Sequence, residues 1–212
     1  MGMKSIRQRI ISQFFFLGML IWFSFPESKC FAQSAEIAQF EVVVLGIKIG
    51  DLEAKKVKEA EGTRRYEAKS QVKFWFFGSV KVSFLTQAYF ENNYIVNTKS
   101  SSQTNRGNFN SEVWWKGEEY QVNAQTYQFE NQTPLPGPIA WCSTKLFFEE
   151  PQEGDIFLSE VYGLSQKIKK IDSGVYEIEI HGNANRYYYK SGELEKIVLE
   201  NPIKNYQIKR VK

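Results

Sequence analysis

Apolar and polar residues alternate along most of the chain beyond position 39. In the segment TRRYEAKSQVKFW, charged or polar residues separate Tyr66, Ala68 and Val72, and Val82 and Phe84 continue the same pattern further on. Successive side chains of a β-strand point to opposite faces of a sheet, so this two-residue period predicts strands with one buried face.

Turn signals separate these strand-like segments at short intervals. Glycine and asparagine tolerate the positive φ angles that tight hairpins require. Short strands joined in this way predict a mainly β protein, in which an antiparallel meander curls into a barrel or half-barrel. The predicted turns are Glu61-Gly62, Asn92-Asn93, Lys116-Gly117, Ser173-Gly174, Gly182-Asn183 and Ser191-Gly192.

The segment FEVVVLGIKIG opens this β-rich part of the chain. It is rich in β-branched residues and predicts a first strand at 39–47, which continues as one long strand to Glu59. Residues 33–38 are predicted to be a short disordered entry. Gly46 and Gly50 lie within the strand, where glycine is typical of a bulge or a bend.

One segment breaks the alternation. Ile139, Cys142 and Leu146 recur at three- and four-residue spacing, and two further apolar residues follow Leu146. A proline stands on either side, at positions that suit the first turn of a helix and the residue beyond its end. The spacing predicts one short helix at 139–149, which would plug or cover the mouth of the barrel.

The first 32 residues have the three-part layout of a secretory signal peptide. A basic start precedes an apolar run at 10–25, and Cys30-Phe31-Ala32 supplies small residues two apart. We predict cleavage after Ala32, which leaves a single β-barrel-like domain at 33–212, long enough for one sizeable core. The protein is expected in the periplasm, with an extracellular location as the alternative.

Two other roles of the N-terminal segment stay open. The apolar run has 16 residues, fewer than the roughly 20 that span a membrane, and an uncleaved anchor is the first alternative. Lipidation at Cys30 is the second, although Glu27, Ser28 and Lys29 precede it where a lipidation signal has small and aliphatic residues. After cleavage, we expect no integral membrane span.

Removal of this segment changes the net charge. The chain has 27 basic and 24 acidic residues, and positions 1–32 hold four of the basic ones and one acidic one. The predicted mature chain is therefore neutral, with 23 of each. It has no cluster of lysine and arginine, so we expect no nucleic-acid partner. The sequence does not predict an oligomeric state.

Candidate catalytic groups are sparse. Cys142 is the one cysteine of the predicted mature chain, so no intramolecular disulfide forms, and a nucleophilic role would need His181 as its base. Glu149 and Glu150 are adjacent, so their side chains diverge rather than face one cleft. We expect Lys145 to pair with Glu149. No spacing of metal ligands is present, and we predict no catalytic residue, no metal and no cofactor.

Aromatic residues give the strongest indication of a function. The adjacent pair Trp114 and Trp115 must send one ring to each face of a sheet, so one of them needs a role beyond the core. Core packing is the ordinary use of such rings, and contact with a ligand is the alternative. The predicted ligand-binding residues are Trp75, Trp114, Trp115, Trp141 and Phe148.

Four short motifs are Leu45–Gly50, Leu146–Pro151, Glu160–Gly163 and Tyr187–Gly192. They resemble a group of exported bacterial domains of unknown function, common in Bacteroidota and related Gram-negative lineages. The resemblance implies a signal peptide followed by a curled antiparallel sheet, in a shape similar to lipocalin-like or lipoprotein-carrier barrels. It implies no catalytic or binding residue.

Three functions follow from these patterns. The first is a non-enzymatic exported protein that holds an apolar or amphipathic molecule, a lipid or an envelope component, in or at the mouth of the barrel. The second is a structural or interaction protein of the cell envelope, which uses an exposed aromatic patch. The third is a hydrolase that uses its acidic residues, which the diverging glutamates disfavour.

Overall fold

A computed structural model gives the architecture of residues 34–74, 80–105, 107–200 and 205–211. The predicted signal peptide therefore lies outside the described residues. Residues 33–212 form one compact unit. Its elements are β1 (Ala35–Val44), β2 (Ile47–Ala60), β3 (Thr63–Phe74), β4 (Val80–Glu91), β5 (Tyr94–Thr104), β6 (Gly107–Trp115), β7 (Glu119–Gln125), β8 (Glu130–Asn131), β9 (Leu135–Pro136), β10 (Trp141–Cys142), α1 (Ser143–Leu146), β11 (Ile156–Ser159), β12 (Leu164–Lys167), β13 (Lys169–Asp172), β14 (Val175–Ile180), β15 (Asn183–Lys190), β16 (Glu193–Leu199) and β17 (Tyr206–Arg210).

Most strands form one antiparallel sheet in which chain neighbours pair. Its order is β13-β14-β15-β16-β17-β1-β2-β3-β4-β5-β6-β7-β8, and β9 also pairs with β7. The first and last strands of the chain meet here, because β1 pairs with β17. A second, small sheet has the order β10-β11-β12. The predicted antiparallel meander with one short helix is confirmed.

The large sheet curls until its two ends approach each other. Phe129 follows β7 and His181 follows β14, near opposite ends of the strand order, yet their ring centroids lie 4.7 Å apart. The described strands β13 and β8 end the order and do not pair with each other, so the sheet they delimit is open and no closed barrel is found.

The start of the sheet differs from the prediction. The long strand predicted to run to Glu59 is a hairpin, because Leu45 and Gly46 have φ angles of 50° and 80° and reverse the chain. The predicted disordered entry at 33–38 is also wrong, since Ala35–Ala38 pair with Ala54–Val57. Backbone pairing in the hairpin orders a segment that looks featureless in sequence.

Gly50 confirms the prediction of a bulge in this part of the chain. The β1–β2 register shifts between Val42 and Val43, directly opposite Gly50. A Cβ atom at Gly50 would collide with the carbonyl oxygen of Gln71 on β3. Only glycine therefore allows β2 and β3 to approach this closely.

Replacing Gly50 with alanine is expected to lower the free energy of unfolding by about 1–3 kcal/mol, because the backbone of β3 must move to admit the methyl group. Urea denaturation measures the change. Lys58→Ala, at an exposed position of the same strand, is the control and should change stability by less than about 0.5 kcal/mol. A Gly50→Ala variant as stable as the parent would contradict the steric argument.

Two clusters of buried side chains form the core. The first lies on β1, β2 and β14 to β17, and includes Phe40, Ile178 and Ile197. The second lies on β3 to β7, and includes Tyr66 and Tyr120. The segment that carries α1 and β11 supplies residues to both clusters, so it is the element that joins them on the concave face of the sheet.

The helix is shorter than the predicted span 139–149. It covers Ser143–Leu146, while Trp141 and Cys142 form a short strand parallel to β11. Two tertiary contacts explain the difference. The backbone of Ile139 is bound by Tyr120 and Ile95, and the carboxylate of Glu160 binds the first two N–H groups of the helix. No helix within the described ranges has the length and apolarity that a membrane crossing requires.

Candidate binding cavity

A cavity of about 900 Å³ occupies part of the concave face of the sheet. Two walls of it come from strands that are far apart in sequence. One wall is formed by β1 to β4 and the other by β14 to β17, and α1 and β11 lie between them. The apolar side chains of the two walls include Val42, Leu52, Ala68, Val72, Val82, Phe84, Ile180, Ile197, Leu199 and Ile208.

The exposure of inward-facing residues shows which end of this face is open. Tyr66 and Ala68 on β3 are buried, whereas Val72 on the same face is half-buried. On β4, Phe90 is buried and Val82 is half-buried. The helix α1 contacts these two strands. It therefore fills one end of the concave face and leaves the other end open, so the predicted plug is partial.

The deep end of the cavity is polar. Both oxygens of the Glu160 carboxylate accept hydrogen bonds, from the N–H and hydroxyl groups of Ser143 at 3.0 and 2.7 Å and of Thr144 at 3.0 and 3.1 Å. Glu160 and Thr144 are fully buried, while Ser143 is partly exposed. These bonds satisfy the first N–H groups of α1, so Glu160 caps the helix from a distant element.

The mouth of the cavity is ringed by aromatic groups. The imidazole of His181 stacks on Tyr162 with ring centroids 5.4 Å apart and an angle of 22°. Phe129 lies edge-on to both rings, at 5.4 Å from Tyr162 and 4.7 Å from His181. Burial raises the pKa of Tyr162. The β7–β8 loop and the β14–β15 turn thus meet through ring contacts at the entrance.

A buried lysine holds the helix against β4 and β5. Lys145 is 1% exposed, and its ammonium group donates hydrogen bonds to Asn93 Oδ1 at 3.1 Å and Ala140 O at 3.0 Å. It also lies 4.4 Å from the ring centroid of Trp141 and 5.3 Å from that of Phe90. Burial lowers the pKa of Lys145. The cation is therefore used in packing and lies outside the cavity lining.

The chain matches one known protein family. The profile of the family described as Domain of unknown function (DUF6134) matches residues 40–211. The chain belongs to this family. The predicted membership of a family of unknown function is confirmed at that level, and no curated protein matches the chain.

The chain is similar to solved structures. One of them is a β-barrel-like protein of the domain of unknown function DUF1849 from Brucella abortus, with 9% sequence identity and a TM-score of 0.47. The alignment covers 85% of this chain and 96% of the other.

Glu149 and Glu150 diverge, as predicted. Glu149 accepts a 2.6 Å hydrogen bond from Tyr66 and pairs with Lys56 at 3.0 Å and with Lys145 at 3.6 Å. Burial favours its neutral form, but the Tyr66 hydrogen bond and the two lysines outweigh burial and lower the pKa of Glu149. Glu150 accepts from Tyr176 on β14 at 2.9 Å. The predicted Lys145–Glu149 pair is confirmed.

Cys142 is buried in the second core cluster. Its sulfur lies 3.3 Å from the hydroxyl of Thr144, and burial, with the nearby charge of Glu160, raises the pKa of the thiol well above its usual range. His181 contacts Phe129 and Tyr162 at the cavity mouth instead. Within the described part of the chain, no group of three His, Cys, Asp or Glu side chains is placed to share a metal ion.

The predicted ligand-binding residues lie apart from this cavity. Trp75 lies outside the described residues. Trp115 packs on Tyr120 with ring centroids 4.8 Å apart, and Trp114 on the opposite face is 36% exposed. The two adjacent rings thus lie on opposite faces of the sheet, as predicted. Trp141 covers Lys145 and Phe148 packs against both core clusters. None of the four described residues lines the cavity.

The cavity uses aromatic residues that are not among the predicted ligand-binding residues. Phe129 and Tyr162 come from a loop and a turn, so they have no strand periodicity that would mark them as inward-facing. His181 has a positive φ of 50° in a tight turn. Its position beside the predicted turn Gly182-Asn183 was the one feature of the sequence that pointed to its place at an end of the sheet. Their convergence depends on the curl of the sheet, which no local pattern encodes.

Proposed function

We propose that this DUF6134 domain is a non-enzymatic binder of an apolar or amphipathic small molecule, a lipid or another component of the cell envelope. The cavity of about 900 Å³ on the concave face carries the proposal. Small-molecule sites are concave, mostly apolar and roughly 300–1,000 Å³ in volume. Each methylene group that leaves water for such walls contributes about 0.8 kcal/mol to binding.

The arrangement of reactive groups supports binding rather than catalysis. The Cys142 thiol is buried with a raised pKa, which disfavours the thiolate that a nucleophile needs. Glu149 and Glu150 are engaged with different strands and do not face a shared cleft. A hydrolase of the two-carboxylate type would need both groups on one substrate.

Export is part of the proposal. The N-terminal layout supports delivery to the periplasm, where a lipid or envelope component is the available apolar ligand. Sequencing the N-terminus of the protein purified from its own host should give a chain that begins at Gln33. A chain that begins earlier, or one that starts with an acylated Cys30, would contradict the predicted cleavage.

A substitution inside the cavity tests the binding site. Val82→Trp places an indole in the space between the walls, and it is expected to weaken binding of the neutral fluorescent probe N-phenylnaphthylamine by roughly tenfold or more, because the ring occupies the volume of the guest. Fluorescence titration measures the affinity. Ser83→Trp, on the exposed face of the same strand, is the matched control and should bind the probe like the parent.

Native mass spectrometry of the protein purified from its host tests whether a ligand is present. A bound apolar or amphipathic molecule that the Val82→Trp variant loses would support the proposal. A parent protein that carries no ligand and does not bind N-phenylnaphthylamine would overturn it.

An interaction role in the envelope is the second candidate. The observation that favours it is Trp114, which is 36% exposed on the face opposite the core. A Trp114→Ala variant that loses a partner captured from envelope extracts, while it still binds N-phenylnaphthylamine, would favour this role over ligand binding.

A further inference from the structure

The carboxylates that line the cavity have no lysine or arginine beside them in the lining, although Arg186 and Arg210 lie just outside it. The described residues that line it include two acids, Glu160 at the deep end and Glu200 near the mouth, and they include no lysine or arginine. Glu160 is fully buried and has no ion-pair partner among the described residues. Glu200 has Arg186 at 3.9 Å, and both side chains are more than a third exposed. The cavity therefore has a negative potential that is strongest at its buried end.

A hydroxyl group lies near the same end, because burial and the nearby charge of Glu160 both raise the pKa of Tyr187. Tyr187 lines the cavity and is 4% exposed, and no described residue makes a hydrogen bond with its hydroxyl. The hydroxyl is not one of the fully buried polar atoms without a partner among the described residues, so it keeps some accessible surface. An unpartnered hydroxyl beside a cavity is a group that a guest can satisfy, and a phenol both donates and accepts.

These two observations set the chemistry of the polar end of a guest. A carboxylate or phosphate that entered the cavity would give up its hydration without meeting a lysine or arginine among the described lining residues, and it would be repelled by Glu160. A hydroxyl, amide or ammonium group would avoid the repulsion and could bind Tyr187. Glu160 acts through its field rather than by contact, because its oxygens are occupied by Ser143 and Thr144.

We infer that the cavity accepts amphiphiles whose polar end is uncharged or cationic, and that it excludes anionic ones. This inference rests on the proposed function, because it assumes that the cavity is the binding site. It adds the class of ligand, since it separates alcohols, amides and amines from fatty acids and anionic phospholipids of the same chain length.

Three probes with the same alkyl chain test the inference. Dodecanol, dodecylamine and dodecanoate are each titrated at neutral pH against N-phenylnaphthylamine bound to the protein. The protein is expressed as the full chain, so that the host can remove the predicted signal peptide. Dodecanol and dodecylamine are expected to displace the probe at concentrations roughly tenfold lower than dodecanoate. The reason is that the repulsion between two like charges about 10 Å apart in a protein weakens binding by about that factor. Displacement by dodecanoate at the same concentration as dodecanol would overturn the charge selectivity.

Two variants connect the selectivity to the lining. Glu160→Gln removes the buried charge and should bring the dodecanoate and dodecanol values within about threefold. Because Glu160 also caps α1, Asn185→Lys is the second variant, and it leaves the cap in place. It should improve dodecanoate binding by roughly tenfold and leave dodecanol unchanged. Ala184→Lys, at the neighbouring position outside the lining, is the matched control.

The outcomes separate the two proposals. If N-phenylnaphthylamine does not bind the parent, the proposed function fails and the inference fails with it. If the probe binds but Asn185→Lys leaves the dodecanoate value unchanged, the cavity binds apolar guests and the charge selectivity alone is overturned.

Discussion

Replacing Glu160 with alanine is expected to lower the free energy of unfolding by about 3–5 kcal/mol. The carboxylate accepts four hydrogen bonds from the N–H and hydroxyl groups of Ser143 and Thr144. Alanine leaves these donors without a partner in a region where Thr144 is fully buried. The segment from α1 to β11 joins the two core clusters, so its loss affects both of them.

Chemical denaturation followed by circular dichroism measures this effect. Glu150→Ala is the control, because Glu150 lies near the same helix and accepts one hydrogen bond, from Tyr176. Its loss should cost about 1 kcal/mol. A Glu160→Ala variant no less stable than Glu150→Ala would show that solvent satisfies the helix terminus, which would contradict the role of Glu160 as a cap.

The free energy of unfolding is expected to fall steeply as the solution becomes alkaline. Burial raises the pKa of Tyr66, Tyr187 and Tyr189 above the value of 10.0 that applies to the unfolded chain. Above pH 10 the unfolded state loses these protons while the folded state keeps them. The stability that they contribute is fully present below pH 10 and is lost as the pH rises toward the folded values.

The slope of this loss follows from linkage. Each tyrosine that keeps its proton in the folded state lowers the free energy of unfolding by about 1.4 kcal/mol per pH unit above pH 10, so these three alone give about 4 kcal/mol per unit. Cys142, above its ordinary value of 9.0, and the other tyrosines whose pKa burial raises add to this slope: Tyr120, Tyr162, Tyr176 and Tyr206. Lys145 contributes in the opposite direction, because its lowered pKa makes stability rise with pH, but only up to its ordinary value of 10.5.

Denaturant unfolding at a series of pH values from about 9 to about 11 measures this slope. Tyr187→Phe is the informative variant, because the Tyr187 hydroxyl makes no hydrogen bond with a described residue and its removal should leave stability at neutral pH nearly unchanged. The variant should reduce the alkaline slope by about 1.4 kcal/mol per pH unit. An unchanged slope would mean that Tyr187 ionises in the folded protein as it does in the unfolded chain.

The hairpins of the sheet were predictable because their signals are local. Asn92 and Asn93 have φ angles of 47° and 71° and join β4 to β5, as the dipeptide predicts. Alternation along β3 and β4 also predicted which residues face inward. The turn at Leu45 and Gly46 was missed because a β-branched run surrounds it, and strand propensity there outweighed the single glycine.

The helix shows how distant residues change a local pattern. The spacing of Ile139, Cys142 and Leu146 favours a helix over the whole segment. In the structure, Tyr120 and Glu160 bind backbone groups on its N-terminal side and limit the helix to four residues, Ser143–Leu146. Hydrogen-bond partners far away in sequence are invisible to a periodicity argument.

The sequence by itself determined the class of fold, the positions of most turns and the resemblance to domains of unknown function. It did so because strand alternation and turn chemistry act between residues that are close along the chain. Only the tertiary structure decided that the sheet of described strands curls without closing, that α1 fills one end of its concave face, and that Phe129, Tyr162 and His181 meet at the mouth of a cavity. These features depend on contacts between strands that are far apart in sequence. The twist of a sheet adds up over many strands, and no single segment of the sequence specifies the total.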